Sequence, residues 1–350
     1  MYFSVNKRER CYESRLIGCG GMGTVHNNAL KELSKTREIE VTALADCRPE
    51  FLEKAAALWP NAQKYTTGME LLENAEIELV HICLPSYLHT EHALAAMDKG
   101  IAVMVEKPVC LIEEDAVKLL EKQKQTGAKV MVGQVVRSFN EYCYLKEAYE
   151  SQKYGKLKSI VMQRLGGDTT WGFEDWFHDP AKSGSVVLDL HVHDVDFLRY
   201  MLGEPDEFHI AQATAFDSGM VNQIVTAYRF GDVQATAEGV WDRCTQLEFE
   251  ASFRACFEKA TMVFNSRIAP LTVYCTDGTT FTPQFEAAKM QDAQDDHVNL
   301  ATRGPYYDEI QYFVDCLMNN TPNEIAPLTE GIASVRLALK EYTKAVEACI

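Results

Sequence analysis

The chain has 350 residues, 47% of them apolar and 24% charged, with a formal net charge of −17 and a pI near 5.0. That length predicts about two domains, each large enough to bury its own core. The acidic balance, with no long Lys/Arg run against it, excludes general nucleic-acid binding and an anionic membrane partner, and no apolar stretch approaches the ~18 residues of a membrane span. Eleven cysteines are scattered from Cys11 to Cys349 without a Cys-x-x-Cys pair. Residues 1–10 carry charge without a following apolar run, unlike a signal peptide. Together these predict a reducing, cytoplasmic setting.

Leu16-Ile17 run into Gly18-Cys19-Gly20-Gly21-Met22-Gly23, a G-x-G-x-x-G loop. A helix carrying Ala29, Leu30 and Leu33 and a strand over 40–45 are predicted behind it, ending at Asp46. Gly18 permits the tight turn, Gly20 lets backbone approach a pyrophosphate, and Gly23 lets the helix pack close to the strand. The helix start, at Gly21 and Met22, offers unpaired N–H groups and a positive dipole end to phosphates. Asp46 lies where a ribose diol is read and would repel a 2′-phosphate, which favours NAD over NADP; Arg48 is close enough to accommodate such a phosphate. Glu13-Ser14-Arg15 are polar for a central first strand, so that strand is expected to be short or irregular in register.

A weaker strand is predicted at 63–65 and a clear one at 79–84, where His81 reads as an interior histidine. A helix over 87–99 stops at Gly100. The apolar run 101–105 then reads as a strand buried on both faces, and it ends on Glu106-Lys107-Pro108. A buried parallel strand ending on charge delivers it to the carboxyl edge of the sheet, where open α/β folds bind ligands. An X–Pro bond takes the cis form at small cost, and a cis Lys107–Pro108 bond would re-aim the lysine. A helix over 111–125 closed by Gly127 and a strand over 129–136 complete a doubly wound parallel sheet ending near Arg137.

In the second half a strand over 158–165 contains Arg164. It precedes an aromatic stretch of Trp171, Phe173, Trp176 and His178, whose rings suit the C–H faces of a sugar or the wall of a domain interface. Residues 184–202, counted as one helix, separate an apolar stripe (Leu188, Val192, Val195, Leu198, Leu202) from a polar one (Asp189, His193, Asp196, Tyr200). Asp189 and His193 then share a face, while His191 points elsewhere. His191-x-His193-Asp194 holds metal-ligand types, but i and i+2 diverge on a helix, so no metal is expected. Strands are predicted at 210–215, 224–230, 233–240, 247–253 and 261–264, and a loop over 277–304.

These motifs, in this order, resemble the Gfo/Idh/MocA oxidoreductases, relatives of glucose-fructose oxidoreductase and inositol dehydrogenase. The residues that carry the likeness are Gly18 to Gly23, Leu84-Pro85-Ser86-Tyr87-Leu88-His89 and Glu106-Lys107-Pro108, followed by Asp179-Pro180, Ser183-Gly184 and Asp189-x-x-x-His193-x-x-Asp196. Tyr307-Asp308-Glu309-Ile310 and a last helix from near Thr329 complete it. The resemblance implies an α/β chain: a Rossmann domain over 1–137, then an α+β domain over 138–350 with a large, mostly antiparallel open sheet and a last helix that packs back on the first domain. It implies a nicotinamide cofactor touched also by Leu84, Pro85, His89, Glu106 and Gln134, and a carbohydrate or polyol substrate touched by Lys107, Arg164, Trp171, Trp176, Asp189 and His193. Lys107, Asp189 and His193 become the catalytic residues. Where the pattern has Gly, this chain has His191.

The activity expected is hydride transfer between a secondary alcohol of a sugar, inositol or glycoside and the nicotinamide. In it His193 is the base, Asp189 its orienter or a hydroxyl ligand, and Lys107 the donor to the reacting oxygen. The alternatives are an NAD-dependent glycosidase working by transient oxidation and elimination, and a non-catalytic nucleotide-binding protein. A homo-oligomer, dimer or tetramer, is expected through the open face of the second sheet.

Overall fold

The computed structural model describes residues 11–74, 77–216, 220–285 and 304–349; residues 1–10 and most of the loop expected over 277–304 lie outside them. Six parallel strands, β1 (Tyr12–Ile17), β2 (Ile39–Ala45), β3 (Gln63–Tyr65), β4 (Leu79–Ile82), β5 (Ala102–Glu106) and β6 (Val130–Gly133), form one sheet in the order 3-2-1-4-5-6. Helices α1 (Gly21–Leu33), α2 (Pro49–Ala56), α3 (Gly68–Asn74), α4 (His89–Asp98) and α5 (Glu113–Thr126) connect them. The unbroken apolar run of β5 is explained by two buried faces. Val103 and Val105 enter one apolar layer with α3, α4 and α5, while Ala102 and Met104 enter the other with α1 and α2. The Lys107–Pro108 bond that follows is cis.

The second half contributes α6 (Asn140–Glu150), β7 (Leu157–Gly166), α7 (Pro180–Ser183), α8 (Val192–Leu202), and β8 (Glu207–Ala215) through β9 (Val221–Phe230), β10 (Val233–Trp241), β11 (Glu250–Phe257), β12 (Ala260–Asn265), β13 (Ala269–Cys275) and β14 (Thr280–Phe281). Its eight strands run in the order 14-13-12-11-7-10-9-8 and are antiparallel except where β10 lies parallel to β7. Helices α6 and α8 bury one face of that sheet; the other, with Val161, Gln163, Val225, Thr236 and Glu238, stays half exposed.

The last two helices return to the first sheet. α9 (Pro305–Asn319) adds Tyr307, Ile310, Phe313 and Val314 to the layer of Met104 and Met131. α10 (Leu328–Cys349) adds Leu328, Ile332 and Val335 to the layer of Val103 and Val132. The segment ahead of α10 covers the free edge of β6, where the Val132 N–H donates to the Ala326 carbonyl at 3.0 Å. Both α9 and α10 therefore pack on the first sheet.

The irregular register expected of β1 is present: its polar start is carried by a register slip between Ser14 and Arg15, with the Arg15 guanidinium bonded to the Ser14 carbonyl and to Glu13. Three other expectations change. The sixth strand ends at Gly133 and passes into a 3₁₀ turn at Val135–Ser138. The stretch 247–253 is strand only from Glu250. Part of the expected loop is a hairpin: Gly278 takes φ 89° in an Asp-Gly turn and Thr280–Phe281 pair back on β13.

Gly331 seats α10 on β6, since a Cβ there would lie 2.6 Å from Val132 Cγ2. Gly331→Ala gains about 1 kcal/mol of helix propensity but overpacks a rigid contact at a cost of about 1–3 kcal/mol. A net loss of stability is expected in urea unfolding.

Candidate active site

The glycine loop and the ends of β1, β2, β4 and β5 meet at the carboxyl edge of the parallel sheet. Gly18 has φ 85°, and a Cβ on it would lie 2.5 Å from the Cys83 carbonyl oxygen; a Cβ on Gly23 would lie 1.8 Å from that of Gly18. Both positions are closed to any other residue. Helix α1 then starts without a side-chain cap, so its first N–H groups face the cleft. Asp46, buried at the end of β2, accepts from the Cys19 N–H at 2.8 Å and from Arg48 through N–H and Nε at 2.9 and 3.0 Å. The Arg48 guanidinium lies over Phe51 and faces Phe173 of the second half, 4.0 and 5.2 Å from the ring centres. Just after β6, Gln134 is buried with both amide atoms unpartnered, an orphan polar group of the kind a bound cofactor satisfies. This cradle fits a dinucleotide.

Lys107, at the turn after β5, crosses to the second half. Its ammonium donates to the Asp189 carbonyl at 2.7 Å and to Asp189 Oδ1 at 2.9 Å. The reason both oxygens of one residue point at it is local: residues 187–191 form a π-helical turn, not the regular α-helix that the count over 184–202 assumes. Gly184, with φ 69°, and Ser185, with φ 59°, also stop α7 ahead of it. His193 opens α8, is 9% exposed, and has a wholly buried, unpartnered Nδ1. Burial, with the positive charges of Lys107 and Arg164, holds it well below the ordinary imidazole range. The carboxylate of Asp189 is thus engaged by Lys107; the structure places no hydrogen bond between Asp189 and His193.

Glu106 is buried between His26, whose Nε2 lies 2.9 Å from Oε1, and the Lys107 N–H, 3.2 Å from Oε2. Burial pushes its carboxyl up, but the His26 hydrogen bond and the neighbouring charges outweigh that and hold it below the usual range. Glu309 on α9 is pushed well above that range by burial and then by Glu106. His26, Glu106 and Glu309 bring one ligand atom each within 4.8 Å of one another, the one such group with metal-binding potential among the described residues.

Two models of one family match the chain in series. "Oxidoreductase family, NAD-binding Rossmann fold" covers residues 14–134, and "GFO/IDH/MocA C-terminal domain" covers residues 142–280. The chain belongs to the Gfo/Idh/MocA oxidoreductase family. It is 26% identical to a myo-inositol 2-dehydrogenase of Thermotoga maritima over 75% of this chain and 77% of that one. It is 28% identical to an inositol 2-dehydrogenase of Pseudarthrobacter chlorophenolicus over 54% and 53%, so it spans about half of that relative. Its fold is similar to that of a levoglucosan dehydrogenase solved with NADH and levoglucosan, with a TM-score of 0.81 at 18% identity over 96% of this chain and 97% of that one.

Within this Gfo/Idh/MocA frame the remaining candidates take distinct places. His89 lies between the carbonyls of Leu84 and Pro108, 2.7 Å from each, and so ties the turns after β4 and β5 together. Pro85 leads the 3₁₀ turn Ser86–Leu88 in the same edge. Arg164 is buried and bonded to Asp194 at 2.8 Å, with the Tyr142 hydroxyl at 3.5 Å, so its charge reaches the site from behind His193. Trp171 and Trp176 both pack on Phe177, with ring centres 4.7 and 3.9 Å away; Trp171 remains exposed. The triplet weighed as a metal site splits three ways, because His191 bonds Glu341 and Asp194 bonds Arg164 while His193 stands alone. The sequence reading missed His26 and Glu309. The first is one helical turn beyond Gly23, and the second lies inside the Tyr307–Ile310 motif, but only the fold brings them to Glu106.

Asp46→Ala removes the buried carboxylate at the end of β2. NADH binding measured by fluorescence is expected to weaken about ten-fold, with NADPH losing less.

Proposed function

We propose that the protein oxidises a secondary alcohol of a polyol or carbohydrate and passes the hydride to NAD. The observation that carries this is the convergence of the Lys107 ammonium, its Asp189 anchor and a partnerless His193 beside the glycine cradle. The inositol dehydrogenases among its relatives support the substrate class. NAD, when bound, supplies the hydride acceptor. An ammonium has three N–H donors; two of Lys107's are spent on Asp189, and the third is left for the reacting oxygen, where it stabilises developing alkoxide charge. His193 takes the hydroxyl proton. Its depressed basicity keeps it neutral, and so able to accept, at neutral pH. Trp171 and Trp176 offer aromatic faces to the C–H side of a ring. Asp46 favours a ribose diol, and its bonds to Arg48 hold that cation away from a 2′-phosphate role.

The half-exposed face of the second sheet supports a homo-oligomer. A single copy per particle at micromolar concentration in a sizing experiment would refute that.

A panel of inositols, levoglucosan and glycosides tests the activity, with NADH absorbance reading net oxidation and chromatography reading cleavage. Lys107→Met is expected to lose about 10²–10³ in kcat; full turnover in that variant would overturn its role. Because His193 protonates only well below 6.5, the oxidation rate should hold as pH falls through 6.5 and drop at lower pH. His193→Asn should lose about 10²–10⁴ in rate together with that acid limb.

A further inference from the structure

The π-helical turn that aims Asp189 at Lys107 carries a second polar side chain pointing the opposite way. His191 is fully buried, and its Nε2 lies 2.7 Å from Glu341 Oε2 on α10, also fully buried. The Tyr228 hydroxyl of β9 is 3.2 Å from the same nitrogen, and Thr226 Oγ1 donates to the same carboxylate oxygen at 3.2 Å. The sheet accommodates this histidine by lacking a side chain opposite it. Gly239 stands two residues before the end of β10, and a Cβ there would lie 2.9 Å from His191 Cβ. A glycine inside a central strand weakens it unless something must approach closely; here the approaching group is His191, by its Cβ and then its backbone.

These contacts close a ring through both halves of the molecule. β5 leads into Lys107, Lys107 holds Asp189, and two residues on His191 holds Glu341. Helix α10 returns to β6 through Gly331 and Val132, and β6 pairs with β5. We propose that His191 and Glu341 are a positioning pair for the active site: their buried bond fixes the π turn, and so fixes the two Asp189 oxygens that orient the Lys107 ammonium. Neither residue touches the reacting atoms. The pair acts only through Asp189 and Lys107, and its effect on turnover rests on the reading of Lys107 given above. A π turn stores little rigidity of its own. A charge-capable bond to the longest helix of the chain supplies an anchor that a glycine at 191, as in the related pattern, has no side chain to make.

The test separates positioning from packing. His191→Leu with Glu341→Leu removes both polar partners together, which avoids stranding a buried carboxylate. His191→Gln keeps a donor near the Nε2 position, and His191→Asn, too short to reach Glu341, is the second variant should the double change fail to fold. Acetylation of Lys107 by acetic anhydride, read by mass spectrometry against exposed Lys118, reports how firmly Asp189 holds the ammonium, whether or not Lys107 is catalytic. The double-leucine and asparagine variants are expected to label Lys107 about three-fold or more faster and to lose about 10- to 100-fold in kcat with NADH affinity unchanged. The glutamine variant should recover most of both. Labelling and kcat equal to the parent's in the double-leucine or asparagine variant, whatever the loss in melting temperature, would overturn the proposal. Faster labelling with kcat intact would uphold the positioning and instead overturn the catalytic reading of Lys107.

Discussion

One ammonium joins the two halves of this protein across the cleft between them. Lys107 belongs by sequence to the parallel sheet and by contact to the second half, and its two bonds to Asp189 are the short polar bridge across the cleft. Such a bridge is costly to bury, because taking a cation and an anion from water is only partly repaid by their attraction. Both side chains keep some exposure, 15% and 12%, which lowers that cost and leaves the ammonium reachable. The addition of a backbone carbonyl as second acceptor does the rest, since it satisfies a donor without adding charge.

The electrostatics beneath Lys107 follow from the same economy of charge. Two carboxyls, Glu106 and Glu309, and two histidines, His26 and His81, are buried together, with His26 Nδ1 and His81 Nδ1 2.9 Å apart. Two carboxylates cannot both ionise at that depth. His26 and the Lys107 backbone select Glu106 as the anion, and burial, with that anion added, drives Glu309 neutral. His81 is kept neutral by burial and by His26. The site therefore rests on a carboxylate below Lys107 and another beside it, while His193 has no carboxylate partner and is held neutral by burial and the nearby cations.

How much of this could be read in the chain depends on the range of the interaction. The glycine loop, Asp46 and the strand ending in Glu106-Lys107-Pro108 were legible because each follows from local pattern, and the six parallel strands come from the same alternation. The helix count over 184–202 failed at its start, where Gly184 and Ser185 take positive φ, and at the π turn that follows. A π turn shifts the angular position of every residue across it, so periodicity put Asp189 and His193 on a shared face while the structure commits Asp189 to Lys107. β13 escaped because Pro270 and an exposed Ile268 blur its alternation, although Leu271 and Val273 are wholly buried. Partners far away along the chain, Glu309 for Glu106 and Glu341 for His191, 150 residues on in the second case, leave no local trace.

The return of the chain explains why those distant partners exist. A parallel sheet needs cover on both faces and at its last edge, and the connections between its own strands cannot supply all of it beside β6. α9 fills the gap on one face, α10 on the other, and residues 326–327 close the edge. Each returning helix brings a single buried acid inward, Glu309 toward the strand end that carries Lys107 and Glu341 toward the turn that carries Asp189. The hydrophobic demand of the first sheet thereby delivers polar groups to both sides of the Lys107–Asp189 bridge. The two halves are one structural unit because neither face of the first sheet is finished without the end of the chain.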